Sequence, residues 1–176
     1  MAQRVRLPKT IMQDEVFQNA FEHAAIGMVL SDIHGRCLRA NRAFCEMVDY
    51  TEAELQQWDF GSLTHPDDLP ENLVLGQRLL AGELPSIKFE KRYRHKLGHY
   101  VWVLLSASVM RDAAGKPLFI ISQVQDISEQ KKIEEENAKH MKELEVFYKI
   151  SMGREERIIE LKKEVEKLKL ELSKHG

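Results

Sequence analysis

Between Phe119 and Glu136 the hydrophobic pattern of this chain changes its period within a few residues. Phe119–Gln125, FIISQVQ, is short and largely apolar, as a strand is; from Ile127 onward the chain is charged and helical in spacing. Asp126 stands at the switch, with Glu129 three residues on. That is the spacing of a capping box, in which an Asp oxygen takes an orphan helix N–H and the Glu carboxylate reaches back. A strand therefore runs straight into a helix without a linker. The residues before the switch must supply partners for that strand, and those after it must form a rod.

The 176 residues leave room for one ordinary domain plus an extension. Charged residues make up 31% of the chain and concentrate in its last quarter, yet the net charge is only −2. Interleaved signs describe a solvated helix face and give no field to draw nucleic acid or anionic lipid. The first ten residues, MAQRVRLPKT, lack the apolar core of a signal peptide, and no apolar run approaches the roughly 18 residues of a membrane span. Cys37 and Cys45 lie close together with no others to pair with. They read as small buried residues in a reducing compartment, with a redox pair as the weaker alternative. A soluble, cytoplasmic protein is expected, with no nucleic acid and no membrane among its partners.

Residues 1–14 form a basic N-terminal extension. Helical spacing runs from 11 to 24, with Met12, Val16, Ala20 and Ala24 in one row and Phe17 and Phe21 beside it. Ile26–Asp32 and Arg36–Arg42 read as two strands of a hairpin around His34-Gly35. Short helices come next: one over Ala43–Asp49 and one opened by a second capping box, Thr51 with Glu54. Asp68, Pro70 and Glu71 open a longer one that runs to Ala81 and stops at Gly82. Ile87–His95 alternates, although Lys91 breaks its apolar face. Tyr100–Met110 is apolar on both faces, so the N-terminal helix or a second copy of the protein should cover its outer side. Pro117–Gln125 is the last strand.

In that order the segments FEHAAIGMVLSDIHGRCLRANRAFCEMVDYTEAEL, LTHPDDL and KFEKRYRHKLGHYVWVLLSASVMRDAAGKPLFIISQVQDISEQK resemble a PAS domain with its C-terminal PAC motif. The likeness covers roughly residues 15–130. It implies an α+β fold: a five-stranded antiparallel sheet with helices on one face, cupping a small cavity, here with an N-terminal helix and a long C-terminal coiled-coil helix added. Residues 15–127 would be the PAS domain and 128–176 the signalling helix. Asp126, Ile127 and Ser128 resemble the family's Asp-Ile-Thr junction, with Ser for Thr, through which such domains pass signals to an output helix.

The C-terminal helix carries an interrupted heptad. With d at 133 and a at 137 the seam runs Ile133, Asn137, His140, Leu144, Phe147, Ser151, Arg154, Ile158, Leu161, Val165, Leu168 and Leu172. Its end, β-branched residues at a and Leu at d, favours a parallel dimer. Asn137, His140, Ser151 and Arg154 put polar groups where core is wanted, and Gly153 costs about 1 kcal/mol against Ala. The middle is thus a register-fixing device, a break between two helices, or a bistable segment whose packing changes with signal. The dimer seam is expected at Leu144, Phe147, Ile158, Leu161, Val165, Leu168 and Leu172. The segment from Leu144 also resembles the connector helices that follow PAS domains in microbial signalling proteins.

Catalytic chemistry is not expected. His140 has no acidic neighbour and no Pro in the following turns, unlike a kinase phosphoacceptor, and no phosphate loop or metal constellation stands out. His65 reads as structural, and His95 and His99 as surface groups flanking a turn. Heme-binding relatives place a His on the helix over the sheet, and Leu69–Ala81 has none. Light-sensing relatives carry a flavin-reactive cysteine where this chain has Trp58-Asp59-Phe60-Gly61-Ser62. The cavity implied by the fold would be walled by Val29, Phe44, Met47, Leu73, Leu79, Phe89, Val103, Leu105, Ile120, Ser122 and Val124. A packed core without cofactor is the preferred reading; a small apolar ligand held by Ser122, or a non-covalent flavin, is the alternative. The functional expectation is a homodimeric sensory and dimerisation module of bacterial-type signal transduction, as in two-component systems. It would not be an enzyme itself, but the regulatory part of a histidine kinase or cyclic-dinucleotide enzyme, feeding a downstream output domain. The alternative is a PAS sensor loaded with flavin or heme.

Overall fold

The computed structural model describes residues 15–172, with side-chain surroundings through residue 167. It falls into two compact units, one ending at Glu129 and one beginning at Gln130. The N-terminal extension, residues 1–14, lies outside the described residues.

The first unit opens with α1 (Glu15–Glu22), then the hairpin β1 (Gly27–Ser31) and β2 (Cys37–Ala40). Three short helices come next, α2 (Arg42–Val48), α3 (Glu52–Leu55) and α4 (Phe60–Leu63), then a 3-10 turn at Pro66–Asp68 and α5 (Leu69–Ala81). Three long strands complete it: β3 (Ser86–Arg94), β4 (Tyr100–Arg111) and β5 (Pro117–Asp126). The sheet has the order β2-β1-β5-β4-β3, antiparallel throughout. The final helix, α6, runs Ser128–Leu172 without interruption at Gly153.

Local chemistry explains the turns. Asp32 accepts from the backbone N–H groups of His34 at 2.8 Å and Arg36 at 2.9 Å, and Gly35 takes the left-handed backbone that closes the β1–β2 hairpin. Asp112 repeats the device between β4 and β5, accepting from Ala114 and Lys116. Thr51 and Glu54 form the reciprocal capping box at α3. Gly82, at φ 81°, ends α5.

Two expected caps depart from the reciprocal pattern, one by pairing elsewhere and one by a shift of a residue. Asp68 precedes α5 but makes no side-chain cap bond. Its carboxylate takes the Arg92 guanidinium at 2.6 Å and 3.0 Å and the Arg92 N–H at 2.8 Å, tying the start of α5 to β3. A bidentate charge-assisted pair outcompetes one backbone N–H. Asp126 lies one residue before the cap position, because α6 begins at Ser128. It accepts the Ser128 N–H at 2.8 Å, and the return contact from Glu129 does not form.

The core lies between the sheet's inner face and the helices. Phe44, Val48, Leu55, Leu63, Val103 and Val124 are buried together. Phe44 meets Tyr93 edge-on at 5.7 Å. A second cluster of Leu79, Ile87 and Ala107 lies under α5. Asn41 stitches the N-terminal segment to this body. Its Oδ1 accepts from the N–H groups of Met28 and Phe44, and its Nδ2 donates to the carbonyls of Phe21 and Ile26. The outer face of β4 is half-covered, with the Arg92 guanidinium 5.0 Å from the Trp102 ring centroid and His65 edge-on to Tyr100 at 4.4 Å.

Candidate functional site

A cavity of about 280 Å³ is lined by residues of both core clusters. Its floor is the inner sheet face: Val29 and Ser31 of β1, Ile87, Lys91 and Tyr93 of β3, Leu105 and Ala107 of β4, Ile120 and Ser122 of β5. Register brings them together, since Val29 pairs with Ser122, Ser122 with Ala107 and Ala107 with Ile87. Its roof is α5, through Asn72, Leu73, Gly76, Gln77, Leu79 and Leu80, with Phe60 and the His34-Gly35 turn at the sides.

Of the residues that the sequence suggests as walls, Val29, Leu73, Leu79, Leu105, Ile120 and Ser122 line this space. Phe44, Met47, Phe89, Val103 and Val124 do not. They pack in the adjoining hydrophobic clusters, which the cavity only borders. Leu73 is also half-exposed, so α5 shows an apolar flank to solvent as well as to the cavity.

Lys91 is the site residue that periodicity alone left without a role. It occupies an inward position of β3 between Phe89 and Tyr93 and is 1% exposed. Its Nζ donates to Asn72 Oδ1 at 2.8 Å and, at 3.4 Å, to Thr64 Oγ1, and lies 4.3 Å from the Tyr93 ring centroid. Burial pushes the ammonium down to about 7, opposed only by the charge of Asp68. Asp68 is itself committed to Arg92, which holds its carboxyl below the usual range. Burial also raises the Tyr93 hydroxyl. The only signal of Lys91 in the sequence was a break in an otherwise apolar alternation.

Neither cysteine is poised for thiolate chemistry. Burial, reinforced by Glu52, pushes Cys37 up to about 12 and Cys45 up to about 11. His65 accepts the Asp67 N–H through Nδ1 at 3.1 Å. His95 and His99 stack at 4.1 Å beside their turn. Among the described residues no group of three or more His, Cys, Asp or Glu is arranged to hold a metal, and no helix is long and apolar enough to cross a membrane.

At the end of β5 two bonds fix the chain to β4 and a third closes the junction on itself. Ile127 N–H donates to the Trp102 carbonyl at 2.9 Å, Trp102 N–H donates to Ser128 Oγ at 3.1 Å, and Ser128 N–H donates to Asp126. Ile127 is buried. In α6, the seam residues Leu144, Phe147, Ile158, Leu161 and Val165 are all exposed, as are Val146, Tyr148, Ile150 and Met152 beside them. The side chains of Leu168 and Leu172 lie outside the described residues.

A family model described as PAS fold matches residues 38–124. The probable diguanylate cyclase DgcE of Escherichia coli (strain K12) is 39% identical over 137 residues, which cover 77% of this chain and 12% of that protein. The sensor histidine kinase TmoS of Ectopseudomonas mendocina is 33% identical over 115 residues, 65% of this chain and again 12% of the relative. The chain thus spans about an eighth of the length of these two relatives. A solved domain of the sensory box sensor histidine kinase/response regulator from Geobacter sulfurreducens superimposes with a TM-score of 0.56 at 26% identity, covering 66% of this chain and 96% of that one.

Proposed function

Since residues 38–124 make this chain a member of the PAS-fold family, we propose that it is a sensory and dimerisation module of a signal transduction protein. In this reading residues 15–127 sense, and residues 128–176 pair in parallel with a second copy and carry the state of the core to an output domain. Relatives named as a diguanylate cyclase and a sensor histidine kinase indicate the kind of output.

The observation that carries the reading is the junction at Asp126, Ile127 and Ser128. Ile120 and Ser122 face the cavity from β5, and the same strand ends four residues later at Asp126. β5 lies between β1 and β4, so a change in cavity contents that shifts β5 acts on the bonds linking Trp102 to Ile127 and Ser128. Those bonds set where helix α6 starts. The exposed row Leu144, Phe147, Ile158, Leu161 and Val165 supports pairing, because a charged helix of this length gains little by standing alone and much by burying that row.

Sedimentation equilibrium tests the proposal. The full chain should run as a dimer, and removal of residues 155–176 should weaken the association at least tenfold. Equal association of both forms would place the main interface elsewhere.

A further inference from the structure

We propose that the cavity under α5 takes a small organic monocarboxylate, its carboxylate on Lys91 Nζ and its hydrocarbon body against the apolar wall of β1, β4 and β5. This names a ligand class and goes beyond the transmission reading. Binding can hold where dimerisation fails, and the two are measured separately.

Lys91 is a buried cation met only by neutral groups: two hydrogen-bond acceptors and the faces of Tyr93 and Phe89. Ammonium groups are rarely this buried unless paired, because transfer from water costs several kcal/mol per ion. Lys91 has two neutral acceptors, Asn72 and Thr64, for three N–H donors. Among the described residues no carboxylate lies within ion-pair distance of it, and the nearest contributing acid, Asp68, is already held by Arg92. Among the described residues no Asp or Glu lines the cavity, whereas Lys91 and His34 do. The space is therefore complementary to negative charge, and Lys91 lies on its wall.

Size and lining narrow the class. One buried cation matches one anionic group. The remaining wall is largely Val29, Leu79, Ile87, Leu105 and Ile120, which reward hydrocarbon and give a bare inorganic anion nothing. A volume of about 280 Å³ is below the usual range for drug-sized ligands, which begins at roughly 300 Å³. A short aliphatic or single-ring acid fits that limit. A bound carboxylate would also hold the proton on Nζ against the burial that otherwise removes it.

Isothermal titration of the full chain at pH 7 tests this with three probes: hexanoate, hexanamide as its neutral isostere, and inorganic phosphate. Hexanoate should bind at least tenfold more tightly than either of the others. Lys91→Met, which keeps volume and removes charge, should fold and lose at least tenfold in hexanoate affinity. Gly76→Leu provides a second variant that leaves Lys91 in place. A Cβ at Gly76 would meet nothing within 4 Å, so the larger side chain can enter the cavity and should exclude hexanoate. The proposal is overturned if hexanoate fails to bind up to 10 mM (about 2.7 kcal/mol of affinity), if hexanamide or phosphate binds as well, or if Lys91→Met binds hexanoate like the parent chain.

Discussion

Single residues hold this domain together where helices and strands meet. Asn41 satisfies four backbone groups from three segments, all with one amide. Asn41→Ala would leave buried N–H and C=O groups unpaired, and a loss of roughly 3–5 kcal/mol in denaturant unfolding is expected. The Asp68–Arg92 pair gives a pH signature. Arg92 lowers the folded pKa of Asp68 below its unfolded value, so the pair's contribution is complete above about pH 4. It is lost as pH falls through the folded value. Asp68→Asn should therefore lower the melting temperature at pH 7 by the equivalent of about 2 kcal/mol and make stability less sensitive to acid below about pH 4. Asp126→Ala removes the acceptor of the Ser128 N–H, and thermal melts should register about 0.5–2 kcal/mol. What was hard to read in the sequence belongs to this scale. Asp68 and Asp126 carried cap spacing, but spacing cannot reveal that an arginine on β3 competes for one carboxylate or that a helix starts a residue late. Lys91 was visible as an anomaly, but its partners Thr64 and Asn72 are 27 and 19 residues away.

Elements were far more legible, because their signals are local. The three long strands show as alternating or continuously apolar runs, and no observed limit differs from the expected one by more than a residue. The α4 turn, Phe60–Leu63, went unread because four residues carry too little periodicity; its Asp59 cap is the signal that was there. Cavity walls were legible only in part. Inward alternation on the strands identifies Val29, Leu105, Ile120 and Ser122, but not where the packing of Phe44 and Val103 ends and open space begins. In α6 the question was continuity, and the helix passes Gly153 unbroken with open space around that position. Gly153→Ala should accordingly raise helicity and add about 1 kcal/mol to the helix, measured by circular dichroism at 222 nm. A drop in helicity would mean that the glycine serves a break after all.

At the scale of the molecule, two units with different means of support share one chain. The sheet domain buries its own core, while α6 leaves its apolar residues exposed until something covers them. Thermal unfolding should therefore show two transitions. The helical one should rise with protein concentration, and the one reported by near-ultraviolet signals of Trp58 and Tyr93 should not. The first strand of the sheet domain also pairs with the last. Gly27, where β1 begins, lies opposite Val124, near the close of β5, so the backbone enters and leaves the sheet at the same place. A Cβ on Gly27 would sit 3.0 Å from the Val124 carbonyl oxygen, which keeps this doorway narrow. A sheet whose entrance and exit coincide behaves as a cartridge: the strands between the two doorposts can be exchanged for others of the same kind while the doorposts themselves stay paired.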